Sequence, residues 1–188
     1  VNPYPPAPAG APPRMLEAVP ITDQRAVSVT WPVVFGSEAA RQDWERAKPA
    51  NYVGHLLGHE GQGSLLSLLK RRGWVNAIIA GIASEDDNFS LMRVSFDVTV
   101  EGLRRRDELI EALFAVLERL RRGVPAYILQ ECRELAELRW RFAEKRPAQD
   151  AALAAVAAMQ DGAGPEDYVS GRALLFEPRG QSLEAAVG

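Results

Sequence analysis

Hydrophobic and polar residues alternate in several stretches of the chain, and this two-residue period predicts β-strands. Short strands are predicted at residues 14–21 and 25–32, with Pro32 ending the second. A nearly continuous apolar run predicts a third strand at 74–82, and a clean alternation predicts a fourth at 91–100. The residues expected on the buried face of the fourth strand are Met92, Val94, Phe96, Val98 and Val100.

Other stretches have apolar residues at helical spacing and are bounded by residues typical of helix ends. The predicted helices are a short one from Pro49, one from Ser64 to Gly73, one from about 100 to 123, one at 126–145, one at 148–159, and two short ones around "EPRG" in the C-terminal tail. Ser64 is a typical N-cap, and Gly73 is a typical C-terminal stop. The residues expected on the inner sides of the two long helices are Ile110, Leu113, Phe114, Leu117 and Leu120, then Leu135, Leu138 and Phe142.

The order of these elements predicts the fold class. Two strands, short helices, two more strands and then several helices indicate an α+β protein, in which helices are layered on a mainly antiparallel sheet. Residues 1–13 contain six prolines, which exclude a helix or a central strand and predict an extended interdomain linker. The domain is therefore expected at 14–188.

Composition and charge exclude several classes of protein. The chain has 188 residues, 47% of them hydrophobic, and a net charge of −3, so that neither nucleic acid nor a membrane is an expected partner. The lone Cys132 excludes an internal disulfide and is predicted to pack as a small side chain on a helix. A soluble protein, cytoplasmic or periplasmic, is expected. The chain begins at Val1 with no signal peptide, which indicates a piece of a longer polypeptide.

The only candidate for metal chemistry is the pair His55 and His59, four residues apart, with Glu60 directly after the second. The motif H-E-x-x-H would require a histidine at position 63, which is Gly63. The inverted motif H-x-x-E-H would require a glutamate at position 58, which is Gly58. The spacing therefore predicts no zinc site and no catalytic residue, although a hydrolase that uses His55, His59 and Glu60 stays open as an alternative.

The segment "NYVGHLLGHEGQGSLLSLLKRRGWVNAIIAG" resembles the second domain of the insulinase (pitrilysin) family of zinc metallopeptidases. The flanking segments "PITDQRAVSVTWPV", "FDVTVEGL", "YILQECRELAELRWRFAEKRPA" and "EDYVSGRALLFEPR" are similar to that domain as well. The resemblance implies the α/β sandwich of the metallohydrolase type. It also implies that this chain is the non-catalytic, inactive domain, that zinc is bound by an upstream domain of the parent protein, and that this chain holds no cofactor.

The resemblance further implies a substrate-binding site, called an exosite, at which a strand edge pairs with the N-terminal residues of a peptide. The residues that match it are His55, Gly58, Glu60, Ile78, Ile79, Ala80, Gly81 and Ile82. A strand edge suits this role because its unpaired N–H and C=O groups accept a peptide of almost any sequence. The implied partners are peptide substrates, the upstream catalytic domain and the C-terminal half of the parent.

Two structural alternatives stay open. The glycines can serve only the turn and "AIIAG" only the core, in which case the chain is a structural or assembly module of a catalytically dead family member. The chain also ends before the last strand that the resemblance leads one to expect, so that an exposed sheet edge and a homodimer are expected for the isolated chain.

Overall fold

The computed structural model describes residues 12–160, 163–176 and 186–187. The elements in these ranges are β1 (Ala26–Val34), α1 (Glu38–Ala47), α2 (Pro49–Gly58), α3 (Leu65–Arg71), β2 (Val75–Glu85), β3 (Phe89–Val98), α4 (Val100–Arg104), α5 (Arg106–Arg121), α6 (Ala126–Arg141), α7 (Ala148–Gln160) and a 3-10 turn (Pro165–Asp167). None of the helices in the described ranges is long and apolar enough to cross a membrane.

The sheet of the described residues has three antiparallel strands in the order β1-β3-β2. β3 is central, with Met92 opposite Trp31 of β1 and Val94 opposite Ala80 of β2. The predicted strands at 25–32, 74–82 and 91–100 are therefore confirmed, and so is the α+β fold class.

The strand predicted at 14–21 is wrong, because this segment has no regular structure. Leu16, Val19 and Ile21 are between 92% and 105% exposed, so these apolar side chains are not buried against the protein. Glu17 of this segment forms an ion pair with Arg106 at 2.6 Å. The predicted linker lies outside the described residues except for its last two prolines, and it stays a prediction.

β1 differs from its prediction because Pro32 lies inside the strand and does not end it. Proline is tolerated in an edge strand, where its missing N–H faces away from the neighbouring strand. Helix α1 was missed, although Ser37 caps it by accepting a hydrogen bond from the Ala40 N–H at 3.2 Å. The buried side of α1 consists of Trp44 and Ala47.

The core lies between one face of the sheet and helices α2, α3 and α5. Met92, Val94 and Phe96 of β3 are fully buried on this face, as predicted. The helical residues that cover them are Val53, Leu57, Leu65, Leu66, Leu69, Leu109, Leu113 and Leu117. Val100 was expected in this core but is 50% exposed at the start of α4, because Thr99 ends the strand and caps that helix.

The predicted inner side of α5 is largely confirmed, because Leu113, Leu117 and Leu120 are buried. Phe114 is 52% exposed and lies outside this side, and Leu109 is buried in addition.

The inner side of α6 differs from its prediction. On α6 the buried residues are Ile128, Cys132 and Ala136, which confirms the packed cysteine. Leu135 is only half-buried, and Leu138 and Phe142 are exposed, so the predicted inner stripe of α6 is wrong. Small side chains fit here because α6 packs against α2.

The segment 163–176, here called the C-terminal segment, folds back onto the start of α2. Lys48 donates hydrogen bonds from its Nζ to the carbonyl oxygens of Gly171 and Leu174. Arg46 stacks on the ring of Phe176, with 4.5 Å between the guanidinium carbon and the ring centre. A single 3-10 turn replaces the first of the two short helices predicted in the tail, and "EPRG" lies outside the described residues.

Candidate functional site

The glycine-rich segment that carries the predicted site is the turn between α2 and α3. Helix α2 ends at Gly58, and His59 leaves it with extended backbone angles (φ −64°, ψ 130°). Gly63 has φ +85°, a conformation that disfavours any residue with a side chain. Ser64 then caps α3 by accepting a hydrogen bond from the Ser67 N–H at 3.1 Å. Capping and chain reversal thus account for two residues of this segment without invoking a ligand.

Helix α2 and strand β2, which carry the two halves of the predicted site, lie against each other. A Cβ atom at Gly54 would be 2.7 Å from the carbonyl oxygen of Ala80, closer than real Cβ contacts come. The helix approaches the strand this closely only because position 54 has no side chain. The middle of α2 and the middle of β2 are therefore in direct contact.

The predicted site residues of β2 point to both faces of the sheet. Ile78 is buried opposite Phe96, whereas Ile79 is 75% exposed opposite Ser95. Ala80 is half-buried, and Ile82 is 39% exposed. The remaining residue, Gly81, is half-buried, and a Cβ at this position would meet no atom within 4 Å.

The outer edge of β2 is unpaired in the part of the chain that the structure describes. β2 bonds to β3 on one side, and none of the described strands lies on the other. The register shifts between Val75 and Ala77 and again between Ile82 and Ser84, so that a regular stretch of ladder lies between two irregularities. This regular stretch contains all five predicted residues of β2. Its edge is suited to accept one more strand.

The two histidines have different surroundings. His55 Nε2 is 3.8 Å from Glu131 Oε1 of α6, too far for a hydrogen bond, and that nitrogen is buried without a hydrogen-bond partner. The ring centres of His55 and His59 are 6.2 Å apart, and the His59 ring folds over Gly61. A tetrahedral zinc site needs three or four converging ligands. No group of three or more candidate metal ligands occurs in the described residues.

Glu60 is an exposed carboxylate that already has a cationic partner. Its Oε1 accepts a hydrogen bond from Lys70 Nζ of α3 at 2.8 Å, and the side chains of Glu60 and Lys70 are 71% and 41% exposed. The hydrogen bond from Lys70 and its positive charge hold the pKa of Glu60 below its ordinary value. Sequence reasoning missed Lys70 as a partner of this site, because its position in "LKRRG" is also explained by the helix C-terminus.

Comparison with known proteins identifies the family. The sequence profile of the Peptidase M16 inactive domain matches residues 1–135. The chain is 37% identical to the insulin-degrading enzyme of Drosophila melanogaster over 146 residues, which are 77% of this chain and 14% of the relative. It is 38% identical to the human insulin-degrading enzyme over 105 residues, 55% of this chain and 10% of the relative. A nardilysin-like protein of Arabidopsis thaliana is 36% identical over 108 residues, again 55% and 10%.

The fold is similar to that of pitrilysin in its crystal structure. The TM-score is 0.73 at 18% sequence identity, and the similarity covers 87% of this chain and 17% of pitrilysin. This chain thus corresponds to a small part of each longer relative, 10% to 17% of its length. The chain belongs to the insulinase/pitrilysin (M16) family of zinc metallopeptidases, and it is a member of that family's inactive domain.

Proposed function

We propose that this chain is the non-catalytic, substrate-anchoring domain of a peptidase and binds the N-terminal residues of peptides at the edge of β2. The observation that carries the proposal is the unpaired outer edge of β2 between Ala77 and Ile82 in the described sheet. On its other side this stretch of β2 pairs regularly with β3. A peptide added there bonds through its backbone, which requires no particular sequence. Exposed Ile79 and Ile82 offer apolar contacts to the side chains of the added strand.

The peptide's terminal ammonium is assigned to Glu60, an exposed carboxylate with a lowered pKa that is charged at neutral pH. Charge-assisted hydrogen bonds of this type are about twice as strong as neutral ones. Gly58 supports the role because it lies at the end of α2 with open space where a side chain would be. His55 lies beside Glu131 of α6, with 3.8 Å between Nε2 and Oε1, and its role in the exosite stays a prediction.

Peptidase activity of the longer parent protein is also a proposal. The relatives named above are peptidases by name, and this chain matches only a small part of each. We infer that a zinc-containing catalytic domain precedes this chain and that a C-terminal half follows it, both in contact with it. A homodimer of the isolated chain through its sheet edge stays a prediction.

A purely structural module is the second candidate, and one observation favours it. Gly54 is required by the close approach of α2 to the backbone of Ala80, whether or not a peptide binds. If packing is the only role of this region, the chain is a scaffold or assembly domain of a parent without activity.

Titration calorimetry with a short peptide that has a free amino terminus distinguishes the two candidates. The anchoring function predicts binding that weakens when the peptide is N-acetylated, and again when alternate backbone nitrogens are N-methylated, because methylation removes strand hydrogen bonds. Glu60→Gln is expected to remove the preference for the free amine. Glu111→Gln, at an exposed position of α5, is a matched control that leaves this preference intact. Equal binding of free, acetylated and methylated peptides would refute the proposal.

A further inference from the structure

In the folded chain Glu60 is paired with the ammonium group of Lys70, the same type of group as the peptide amino terminus that Glu60 is proposed to bind. Lys70 Nζ lies 2.8 Å from Glu60 Oε1. We propose that Lys70 competes with a peptide's amino terminus for Glu60 and thereby sets the selectivity of the exosite. An ammonium at Oε1 must displace Lys70, and one at the other carboxylate oxygen is repelled by the positive charge of Lys70. This inference rests on the proposed function of Glu60.

The placement of Lys70 follows from how α3 is built. Leu65, Leu66 and Leu69 are buried against the core, and Ser64 caps the helix, so α3 has a fixed orientation. Its outward side then presents Lys70 to the turn that carries Glu60. The pair is ten residues apart in sequence, so the contact depends on the fold of the turn and is not a pairing within one helix.

The neighbouring cations do not share this contact. The guanidinium of Arg72 stacks on the ring of Trp74, with 4.9 Å between the guanidinium carbon and the ring centre. Arg71 is exposed on the same helix turn and has no contact with Glu60 within hydrogen-bonding or ion-pairing distance. Arg71 therefore provides a matched control with the same charge and nearly the same position.

The lysine ammonium and a peptide's terminal ammonium are chemically alike, each with one positive charge and three N–H donors. One can therefore replace the other at Glu60 without leaving the carboxylate unpaired. Because an exposed ion pair contributes at most about 1 kcal/mol, competition from Lys70 weakens peptide binding by at most about fivefold. The competition reduces the binding free energy that a peptide's terminal ammonium gains at Glu60. The site is therefore only weakly selective for free amino termini.

The test is calorimetric titration of the full 188-residue chain and its variants with one hexapeptide in free and N-acetylated forms. Lys70→Met is expected to raise the affinity for the free peptide about two- to fivefold and to leave that for the acetylated peptide unchanged. Arg71→Met is expected to change neither. In the double variant Lys70→Met with Glu60→Gln, the gain should vanish.

The outcomes separate the two proposals. If the original chain prefers the free peptide but Lys70→Met binds it equally well or more weakly, Lys70 is not a competitor and this inference is overturned while the exosite stands. If neither the original chain nor Lys70→Met distinguishes the free from the acetylated peptide, the role of Glu60 fails and both are overturned. A gain in Lys70→Met that Arg71→Met reproduces would assign the effect to net charge and likewise overturn it.

Discussion

Replacing Gly54 by alanine tests the contact that joins the two halves of the proposed site. The new Cβ would lie 2.7 Å from the carbonyl oxygen of Ala80, so α2 must move away from β2 by several tenths of an ångström. The strand cannot easily give way, because β2 is hydrogen-bonded to β3 along its length. The helix carries Val53 and Leu57, both fully buried, and these side chains would move with it.

The expected magnitude follows from two opposing terms. Forcing an extra carbon into a packed interface costs about 1–3 kcal/mol. Alanine in place of glycine within a helix contributes about 0.5–1 kcal/mol of stability. Gly54→Ala is therefore expected to lower the free energy of unfolding by up to about 2.5 kcal/mol.

Gly58→Ala is the matched control, because it lies on the same helix and its Cβ would meet no atom within 4 Å. Only the propensity term applies there, so a gain of up to about 1 kcal/mol is expected. Urea unfolding followed by tryptophan fluorescence measures the stability of both variants. A loss of about 1 kcal/mol in the free energy of unfolding lowers the urea midpoint by roughly 0.5 M. If Gly54→Ala were as stable as Gly58→Ala, the close approach of α2 to Ala80 would be refuted.

Three further substitutions or modifications probe other parts of the fold. Gly102→Ala should destabilise the protein by about 3 kcal/mol or more in thermal unfolding, because its Cβ would overlap the carbonyl oxygen of Trp74 and lie 2.8 Å from the carbonyl carbon. Lys48→Met should leave carbonyl oxygens of the C-terminal segment unpaired, at about 1–3 kcal/mol, and limited trypsin digestion should then cut faster at Arg172. Cys132 is 6% exposed and burial raises the pKa of its thiol, so alkylation at pH 8 should be at least about tenfold slower than in urea; equal rates would contradict the packing of α6.

The elements that the sequence predicted well are those with strong local signals. Ser64 and Gly73 bound α3 through a side-chain cap and a left-handed stop, interactions that involve only neighbouring residues. Apolar and polar residues alternate clearly on β3 because this strand is central in the sheet and buries one face fully. The segment 14–21 has apolar residues without a clean alternation and buries none of them, and the sequence alone does not reveal whether a partner surface exists.

The inner side of α6 shows a different limit of periodicity. A stripe of large apolar residues, including Leu138 and Phe142, pointed to one side of the helix, but the fold buries Cys132 and Ala136 instead. Helical spacing identifies which residues share a face, whereas the distance to the neighbouring helix decides which face fits against it. On α6 the buried face is the one that carries Ile128, Cys132 and Ala136, and it packs against α2.

The residues of the candidate site were named from a family resemblance, and their role stays a prediction. The contacts among them were not predictable, and the reason lies in sequence separation. Gly54 and Ala80 meet across 26 positions of sequence, and Glu60 meets Lys70 only after a turn whose course depends on Gly63. Neither contact leaves a periodic signal in the chain. The two contacts also act in opposite directions on the proposed function. The contact of Gly54 with Ala80 brings α2 and β2 together. The contact of Lys70 with Glu60 places a competing cation on the carboxylate and so weakens the proposed site.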